Sequence, residues 1–243
     1  MNYNPYAAPQ TAPDAPGSSF AGQPQPWEIG EVLSAAWEAF KPNWVVLVFG
    51  MLVGWFVDAI PSMIPAVAVA TKMVAQNSLG YWLIYAPCTF AGIVVGAFFQ
   101  VGFVRIWIRA SRGERPEFDE LFSGGARFLP MLAVTLLLGL AVCLGMVLCI
   151  VPGVIAGLGL MFAPYYVVDQ QMGPIDAMSA SWAATTGQKL PLFVFALVTV
   201  LLAAAGMMAC CVGLFVPIPL TAIATATVYL RISGRAAPVT RAA

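Results

Sequence analysis

Residues 128–168 read FLPMLAVTLLLGLAVCLGMVLCIVPGVIAGLGLMFAPYYVV, and none of these 41 residues is charged. Residues 190–230 form a second charge-free run of 41 residues. Because about 20 apolar residues cross the hydrocarbon core of a membrane once, each run is long enough for two helices joined by a tight turn. The two runs therefore predict an integral membrane protein built from helical hairpins.

The overall composition agrees with this class. Of the 243 residues, 60% are hydrophobic and only 9% are charged, whereas soluble domains carry about 25% charged residues. The continuous apolar runs also differ from the alternating pattern of a transmembrane β-barrel. The fold class that we predict is an all-α polytopic membrane bundle.

Residues 42–104 predict a third, looser hairpin, because only Asp58 and Lys72 interrupt them. Three hairpins give six spans, with the Pro152-Gly153 pair as the turn of the second hairpin. The tail before the bundle, residues 1–26, is rich in Pro, Gly, Ser and Gln, a composition that cannot build a core. We therefore expect a disordered cytoplasmic tail at 1–26, a membrane domain at 27–233 and a short cytoplasmic tail at 234–243. The predicted spans are 44–67, 80–108, 129–150, 153–169, 191–212 and 214–232.

The basic residues predict the orientation of the bundle. With these spans, ten of the eleven Lys and Arg residues fall on one side, and Lys72 alone falls on the other. Cytoplasmic segments carry an excess of Lys and Arg, so we expect a multi-pass protein of the bacterial cytoplasmic (inner) membrane with both termini in the cytoplasm. Aromatic side chains at the inner ends of the spans, typical of the membrane interface, support this: Trp44, Trp107, Tyr165, Tyr166 and Tyr229.

A short amphipathic segment precedes each predicted hairpin. The three segments share the pattern acidic, any residue, large apolar, Ser, at 31–34, 120–123 and 176–179. Polar on one face and apolar on the other, they suit helices that lie at the inner headgroup boundary. We interpret the chain as an interfacial helix plus two spans, used three times; the alternative is that these segments are connectors that happen to be amphipathic.

Small residues predict close packing between spans. GxxxG spacing occurs at Gly50 and Gly54, at Gly92 and Gly96, and at Gly153 and Gly157. Such pairs let two helix backbones approach each other. We expect them to serve packing within the chain, with a homo-oligomer or a protein partner as the second possibility. The five cysteines lie in predicted spans without CxxC spacing and suit small apolar side chains: Cys88, Cys143, Cys149, Cys210 and Cys211.

Arg105, Arg109 and Arg112 recur at i, i+4 and i+7 and share one face of the inner end of the second span. Guanidinium groups bind phosphate bidentately, so these residues are the candidate contact for a lipid phosphate. The alternative is that they reach the interface and pair with nearby acidic residues. The acidic candidates are Glu114, Glu117, Asp119 and Glu120.

A string of residues in the third segment carries a resemblance: Pro152-Gly153, Phe162-Ala163, Asp169, Gly173-Pro174, Asp176-Ala177, Ser181-Trp182, Thr186 and Gly187. It resembles a group of uncharacterised bacterial six-helix inner-membrane proteins that includes the membrane domain appended to some glycerophosphodiester phosphodiesterases. The resemblance covers residues 128–190 and implies an α-helical cytoplasmic-membrane protein. The barrel, catalytic histidines and acidic metal ligands of the phosphodiesterase have no counterpart in this sequence, so the resemblance does not extend to that activity.

The absence of histidine narrows the possible functions. It excludes Ser-His-Asp and Cys-His catalysis and histidine-ligated zinc or haem. We expect a protein that is not an enzyme, has no cofactor or metal, binds no nucleic acid and has membrane lipids as its partners. Two functions stay open: a lipid-binding or membrane-organising scaffold, and a transporter or channel for small molecules or lipids.

Overall fold

A computed structural model of the chain describes residues 24–208 and 215–235 and contains helices and no strands over them, which confirms the all-α part of the prediction. The predicted tails at 1–26 and 234–243, and Cys210 and Cys211, fall wholly or mostly outside the described residues. A 3-10 segment, Phe118–Arg127, connects the second and third helices. The α-helices are α1 (Ile29–Ala70), α2 (Leu79–Ser111), α3 (Phe128–Leu148), α4 (Ile150–Leu160), α5 (Ala163–Asp169), α6 (Pro174–Thr185), α7 (Lys189–Met208) and α8 (Pro217–Ile232).

Five helical stretches among the described residues are long and apolar enough to cross a membrane, and the predicted count of six is not confirmed. The predicted sixth span at 214–232 corresponds to α8, which has only 16 residues. At 1.5 Å per residue α8 is about 24 Å long, less than the hydrocarbon thickness of about 30 Å. The five stretches are Ile29–Ala70, Leu79–Ser111, Phe118–Leu148, Ile150–Asp169 and Lys189–Met208.

Helix α8 is short but occupies the interior of the bundle. It packs against α1, α2 and α7, and most of its residues from Ile223 to Ile232 are buried. Small residues at 224 and 226 let the neighbouring helices approach. Consecutive helices also pack together, as α1 does on α2 and α3 on α4, and α2 contacts α5 while α4 contacts α6 and α7.

The first amphipathic segment is not a separate helix, contrary to the prediction. Helix α1 continues from Ile29 to Ala70 through Pro42, Pro61 and Pro65. Its 42 residues extend about 63 Å, twice the hydrocarbon thickness. The helix can therefore extend beyond the hydrocarbon, with its charged residues before position 42 on the part that extends. A break in the helix is not needed to keep these residues out of the hydrocarbon.

The second and third amphipathic segments do form separate elements, the 3-10 segment and α6. Phe122 and Ile175 are exposed on them, as the interfacial interpretation requires. The serines of the first two segments make the same local bond: Ser34 donates to the Glu31 carbonyl at 2.9 Å and Ser123 to the Glu120 carbonyl at 2.6 Å. Ser179 has no such bond among the described residues. The local hydrogen bond of the serine therefore occurs in two of the three copies of the repeat.

The predicted turn at Pro152-Gly153 is wrong by a few residues. The chain turns at Cys149, which is extended, and α4 begins at Ile150. Pro152 fits the first turn of α4 because the backbone N–H groups there have no helical partner. Gly153 packs instead against Gly145 and Met146 of α3, where a Cβ on Gly145 would lie 2.8 Å from the Gly153 Cα.

The predicted span 153–169 is divided into α4 and α5, and the hydroxyl of Ser181 in α6 joins the two halves. Ser181 is fully buried. It donates to the Gly159 carbonyl at 2.8 Å and accepts from the Phe162 N–H at 3.2 Å. Beside it, the ring of Trp182 covers Gly159 so closely that a Cβ there would collide with it.

The glycine pairs pack helices together within the chain. Gly50 and Gly54 of α1 face the Phe103 ring of α2, and a Cβ at Gly54 would lie 2.6 Å from its Cζ. Gly92 of α2 faces Pro61 of α1. Oligomerisation through these glycines stays a prediction.

Candidate functional site

The face of α2 that carries Arg105, Arg109 and Arg112 borders a polar pocket of about 280 Å³. The pocket lies between the inner end of α2, the 3-10 segment and the end of α5. Glu120 and Asp169 also line it. The three predicted arginines are thus brought together, but with two carboxylates among them.

Arg112 is held by Asp169, the last residue of α5. The Arg112 Nη2 donates to Asp169 Oδ1 at 2.7 Å, and the Arg235 Nη1 lies 3.3 Å from Oδ2. Tyr229 of α8 donates its hydroxyl to the same Oδ2 at 3.0 Å and accepts from the Gln170 amide. The Asp169 side chain is only 6% exposed. One buried carboxylate therefore joins α2, α5, α8 and the residues that follow α8.

Aromatic side chains surround this carboxylate. The rings of Tyr165 and Tyr229 are stacked with centroids 5.3 Å apart, and Tyr166 meets Tyr229 edge-on at 5.1 Å. All three tyrosines are at most 5% exposed. The expectation that they line the membrane interface is therefore wrong, because their rings pack on one another in the bundle interior.

Arg109 is held on the other side of the pocket. Its Nε donates to Glu114 at 2.9 Å, and its Nη1 forms an ion pair with Glu120. A second contact fixes the same segment: a Cβ on Gly102 of α2 would lie 2.5 Å from the Leu121 carbonyl oxygen. The 3-10 segment is therefore packed directly on the α2 backbone.

Arg105 differs from its two neighbours. It lines the pocket and is half-buried, yet it makes no hydrogen bond or ion pair with the residues that the structure describes. Of the two interpretations of the arginine face, pairing with the predicted acidic residues holds for Arg109, whereas Arg112 pairs with Asp169, which was not among them. Of the three arginines, Arg105 alone has no acidic partner among the described residues.

Asp169 is the residue whose role the sequence did not reveal. In the sequence it belongs to the string of the third segment and lies 57 positions from Arg112. A sequence signal did exist: Asp169 is the first charged residue after a run of 41 uncharged ones. A lone carboxylate at the end of such a run requires a cationic partner once its side chain is buried.

The opposite face of α2 borders a larger cavity of about 630 Å³, lined mainly by apolar residues of α1, α2 and α8. At 100° per residue, Gln100, Phe103 and Trp107 lie on the side of α2 away from the three arginines. At its α3 wall, the Thr135 hydroxyl donates to Gln100 Oε1 at 3.0 Å. Helix α2 therefore separates a polar pocket from an apolar cavity.

The ends of several helices meet near the polar pocket. The Glu31 carboxylate of α1 accepts from Arg231 of α8 at 2.8 Å, and the N–H of Gln25 donates to the Arg231 carbonyl. The Trp27 indole donates to the Gln188 side chain at 2.6 Å. The beginning of α1 and the end of α8 therefore lie at the same end of the bundle.

Comparisons with known proteins lead to uncharacterised relatives. No family model matches the chain, and no solved structure matches it. The chain is 27% identical to "Uncharacterized protein Rv2560" of Mycobacterium tuberculosis (strain ATCC 25618 / H37Rv) over 254 aligned residues, which cover 91% of this chain and 74% of that protein. "Uncharacterized protein Mb2590" of Mycobacterium bovis (strain ATCC BAA-935 / AF2122/97) matches with the same identity and coverage. The chain is thus similar to uncharacterised mycobacterial proteins, and its resemblance to a phosphodiesterase-linked membrane domain stays a prediction.

Proposed function

We propose that the protein is a non-enzymatic, lipid-binding protein of the bacterial cytoplasmic membrane that holds a lipid phosphate in the polar pocket at the inner end of α2. The observation that carries the proposal is the guanidinium of Arg105, which borders the pocket without an acidic partner among the described residues. Arg109 and Arg112 form the rest of the cationic wall. With Arg235, four guanidinium groups meet three carboxylates, those of Glu114, Glu120 and Asp169, so this cluster has an excess of one positive charge.

The ion pairs of Arg109 and Arg112 serve this function by holding the pocket open. Glu120 and Asp169 fix these guanidinium groups from the protein side. A phosphate that enters the pocket meets donors already held in place, so little side-chain entropy is lost on binding. Arg105 then supplies the charge-assisted hydrogen bonds to the phosphate oxygens.

Native lipid discs provide the test. The protein is extracted into discs, and co-purifying lipids are identified by native mass spectrometry. Arg105→Ala is the chosen variant because it removes no ion pair between described residues, whereas Arg109→Ala would also release Glu114 and Glu120. We expect it to lower occupancy by anionic lipid about tenfold, the factor that corresponds to the loss of one strong charge-assisted contact.

Arg115→Ala is the matched control. Arg115 is exposed four residues beyond the end of α2 and does not line the pocket. Its removal changes the net charge by the same amount and should leave lipid occupancy unchanged. Equal occupancy in the wild type and Arg105→Ala, or an equal loss in both variants, would contradict a specific phosphate site.

Transport is the second candidate function. The larger cavity is the observation that bears on it, and its lining is mainly apolar. A hydrated ion or polar solute needs polar groups along its path, because desolvation is costly. The cavity therefore favours a lipid-like cargo over a polar one, and a flux assay in proteoliposomes with a panel of polar solutes should show no transport.

A further inference from the structure

The cavity on the other face of α2 has the shape of an elongated ligand. Its lining on α2 extends from Tyr85 to Trp107, which at 1.5 Å per residue is about 33 Å, close to the hydrocarbon thickness of a bilayer. Its volume of about 630 Å³ lies within the range of ligand sites. A lining of this length suits a hydrocarbon chain better than a compact solute.

The hydroxyl groups that line the cavity are already hydrogen-bonded within the protein and need no water molecule as a partner. Ser62 donates to the Ala59 carbonyl at 2.8 Å, and Thr89 to the Tyr85 carbonyl at 2.9 Å. The single hydroxyl proton of Thr135 is shared between Gln100 Oε1 at 3.0 Å and the Met131 carbonyl at 2.9 Å. Because apolar cavities stay dry, the occupant that these walls favour is apolar.

The Gln100 amide is the exception to this pattern. Its Oε1 accepts from Thr135, but its Nε2 has no acceptor among the described residues. An unpaired amide donor in a membrane is costly, so a ligand with an oxygen acceptor fits at this point. Gln100 lies about 7.5 Å along α2 from Arg105, on the hydrocarbon side of that residue. An ester carbonyl of a glycerolipid lies at such a depth, just below its headgroup.

The lining of the cavity is partly exposed at the surface of the described residues. Trp55 of α1 and Tyr85 of α2 line it, and they are 54% and 38% exposed. An acyl chain can therefore reach the cavity from the surface that these two side chains form. We propose that this cavity binds one acyl chain of a membrane glycerolipid, with an ester carbonyl of that lipid accepting a hydrogen bond from the Gln100 amide. This site is separate from the phosphate site, because it lies on the opposite face of α2.

Photocrosslinking in vesicles tests the proposal. The protein is reconstituted in phosphatidylcholine vesicles that contain a phosphatidylcholine with a diazirine on its acyl chain, and labelled peptides are mapped by mass spectrometry. We expect labelling at cavity residues such as Met51 and Phe103. Cys88→Phe adds a ring to the cavity wall and should lower this labelling about tenfold, since overpacking a filled site costs more than 1 kcal/mol.

Cys143→Phe is the matched control, because Cys143 is exposed on α3 and does not line the cavity. The Cys143→Phe variant should be labelled in the cavity to the same extent as the wild type. Ala222→Leu narrows the cavity from α8 and provides a second blocking variant in case Cys88→Phe does not give folded protein. Labelling confined to outward-facing residues of α1 and α2, or wild-type labelling in both blocking variants, would overturn the proposal.

Two further comparisons separate this site from the phosphate site and test the role of Gln100. Arg105→Ala should leave labelling of the cavity unchanged, whatever its effect on anionic-lipid retention.

An ether-linked probe lacks the carbonyl acceptor and should label the cavity less than the ester-linked probe. Gln100→Leu should abolish that difference; a preference for the ester probe that persists in Gln100→Leu would disprove the hydrogen bond.

Discussion

Arg112 donates a hydrogen bond to Asp169 over 2.7 Å, although 57 residues separate them in the chain. This contact joins the inner end of α2 to the end of α5. Asp169 accepts from Tyr229 as well and lies 3.3 Å from the Arg235 guanidinium. The carboxylate is thus the point at which three separate parts of the chain are joined.

Replacing this carboxylate should destabilise the fold. Asp169→Asn keeps the size of the side chain but leaves Arg112 and Arg235 facing a neutral amide. Because hydrogen bonds to charged groups contribute about 1.5–3 kcal/mol, we expect a loss of about 2 kcal/mol, or a fall in Tm of about 4–8 °C for a protein of this size. Thermal unfolding followed by circular dichroism in detergent measures it.

Asp119→Asn provides the comparison for this measurement. Asp119 is exposed on the 3-10 segment and forms no ion pair within the described part of the chain. Its Tm should stay within about 1–2 °C of the wild type, because substitutions at such surface positions change stability by less than about 0.5 kcal/mol. Equal effects of the two substitutions would mean that the Asp169 contacts contribute nothing to stability.

The hydroxyl of Ser181 should contribute as much to the stability of the fold as a core side chain does. Ser181→Ala removes the group that bridges the Gly159 carbonyl and the Phe162 N–H at the break between α4 and α5. Leaving the buried Phe162 N–H unpaired costs about 1–3 kcal/mol, while the Thr185 hydroxyl stays 3.3 Å from the Gly159 carbonyl. Ser179→Ala, on the exposed side of the same helix, should be neutral. If Ser181→Ala unfolds at the same temperature as Ser179→Ala, the bridge is not a stabilising contact.

Gly102 should tolerate no side chain. A Cβ there would lie 2.5 Å from the Leu121 carbonyl oxygen, so Gly102→Ala must displace the 3-10 segment from α2, at a cost of about 1–3 kcal/mol. Gly139→Ala is the matched change, since nothing lies within 4 Å of a Cβ on that helical glycine, and it should be neutral or slightly stabilising. Lipid retention by the polar pocket should fall in Gly102→Ala alone, because Glu120 moves with the segment.

The two ends of the bundle should face opposite sides of the membrane. Gln76 lies in the connection between α1 and α2, and Glu117 lies just before the 3-10 segment. In a variant whose native cysteines are replaced by Ala, a cysteine at position 76 should be labelled by a membrane-impermeant maleimide in intact cells. In the same background, a cysteine at position 117 should be labelled only after permeabilisation. The reverse result would invert the orientation that the basic residues predict.

The large-scale features of the protein follow from local properties of the sequence. Long charge-free runs such as 128–168 predict membrane-spanning helices, because a segment in hydrocarbon must pair every backbone N–H and C=O group within itself. The same reasoning finds the arginine face of α2, since i, i+4 and i+7 spacing places side chains on one side of any helix. GxxxG spacing likewise identifies glycines that pack against neighbouring helices.

Contacts between distant segments explain where the sequence-based predictions failed. The continuity of α1 through Pro42, the division of the fourth span and the burial of Tyr165, Tyr166 and Tyr229 depend on neighbours far along the chain. A tyrosine near the end of an apolar run suits the membrane interface and the bundle interior equally well. Only packing against Asp169 and the other rings decides between them.

The sequence by itself determined that this protein is an all-helical bundle with stretches long and apolar enough to cross a membrane, and that its arginines at 105, 109 and 112 share one face of a helix. Only the tertiary structure decided what those arginines meet. It brings Asp169 to Arg112 and Glu120 to Arg109, leaves Arg105 beside an open pocket, and forms the apolar cavity on the far side of α2. The physical reason is the distance along the chain over which each property is determined. Hydrophobicity and helical periodicity are set within a few helical turns, whereas ion pairs and cavities depend on how separate helices pack.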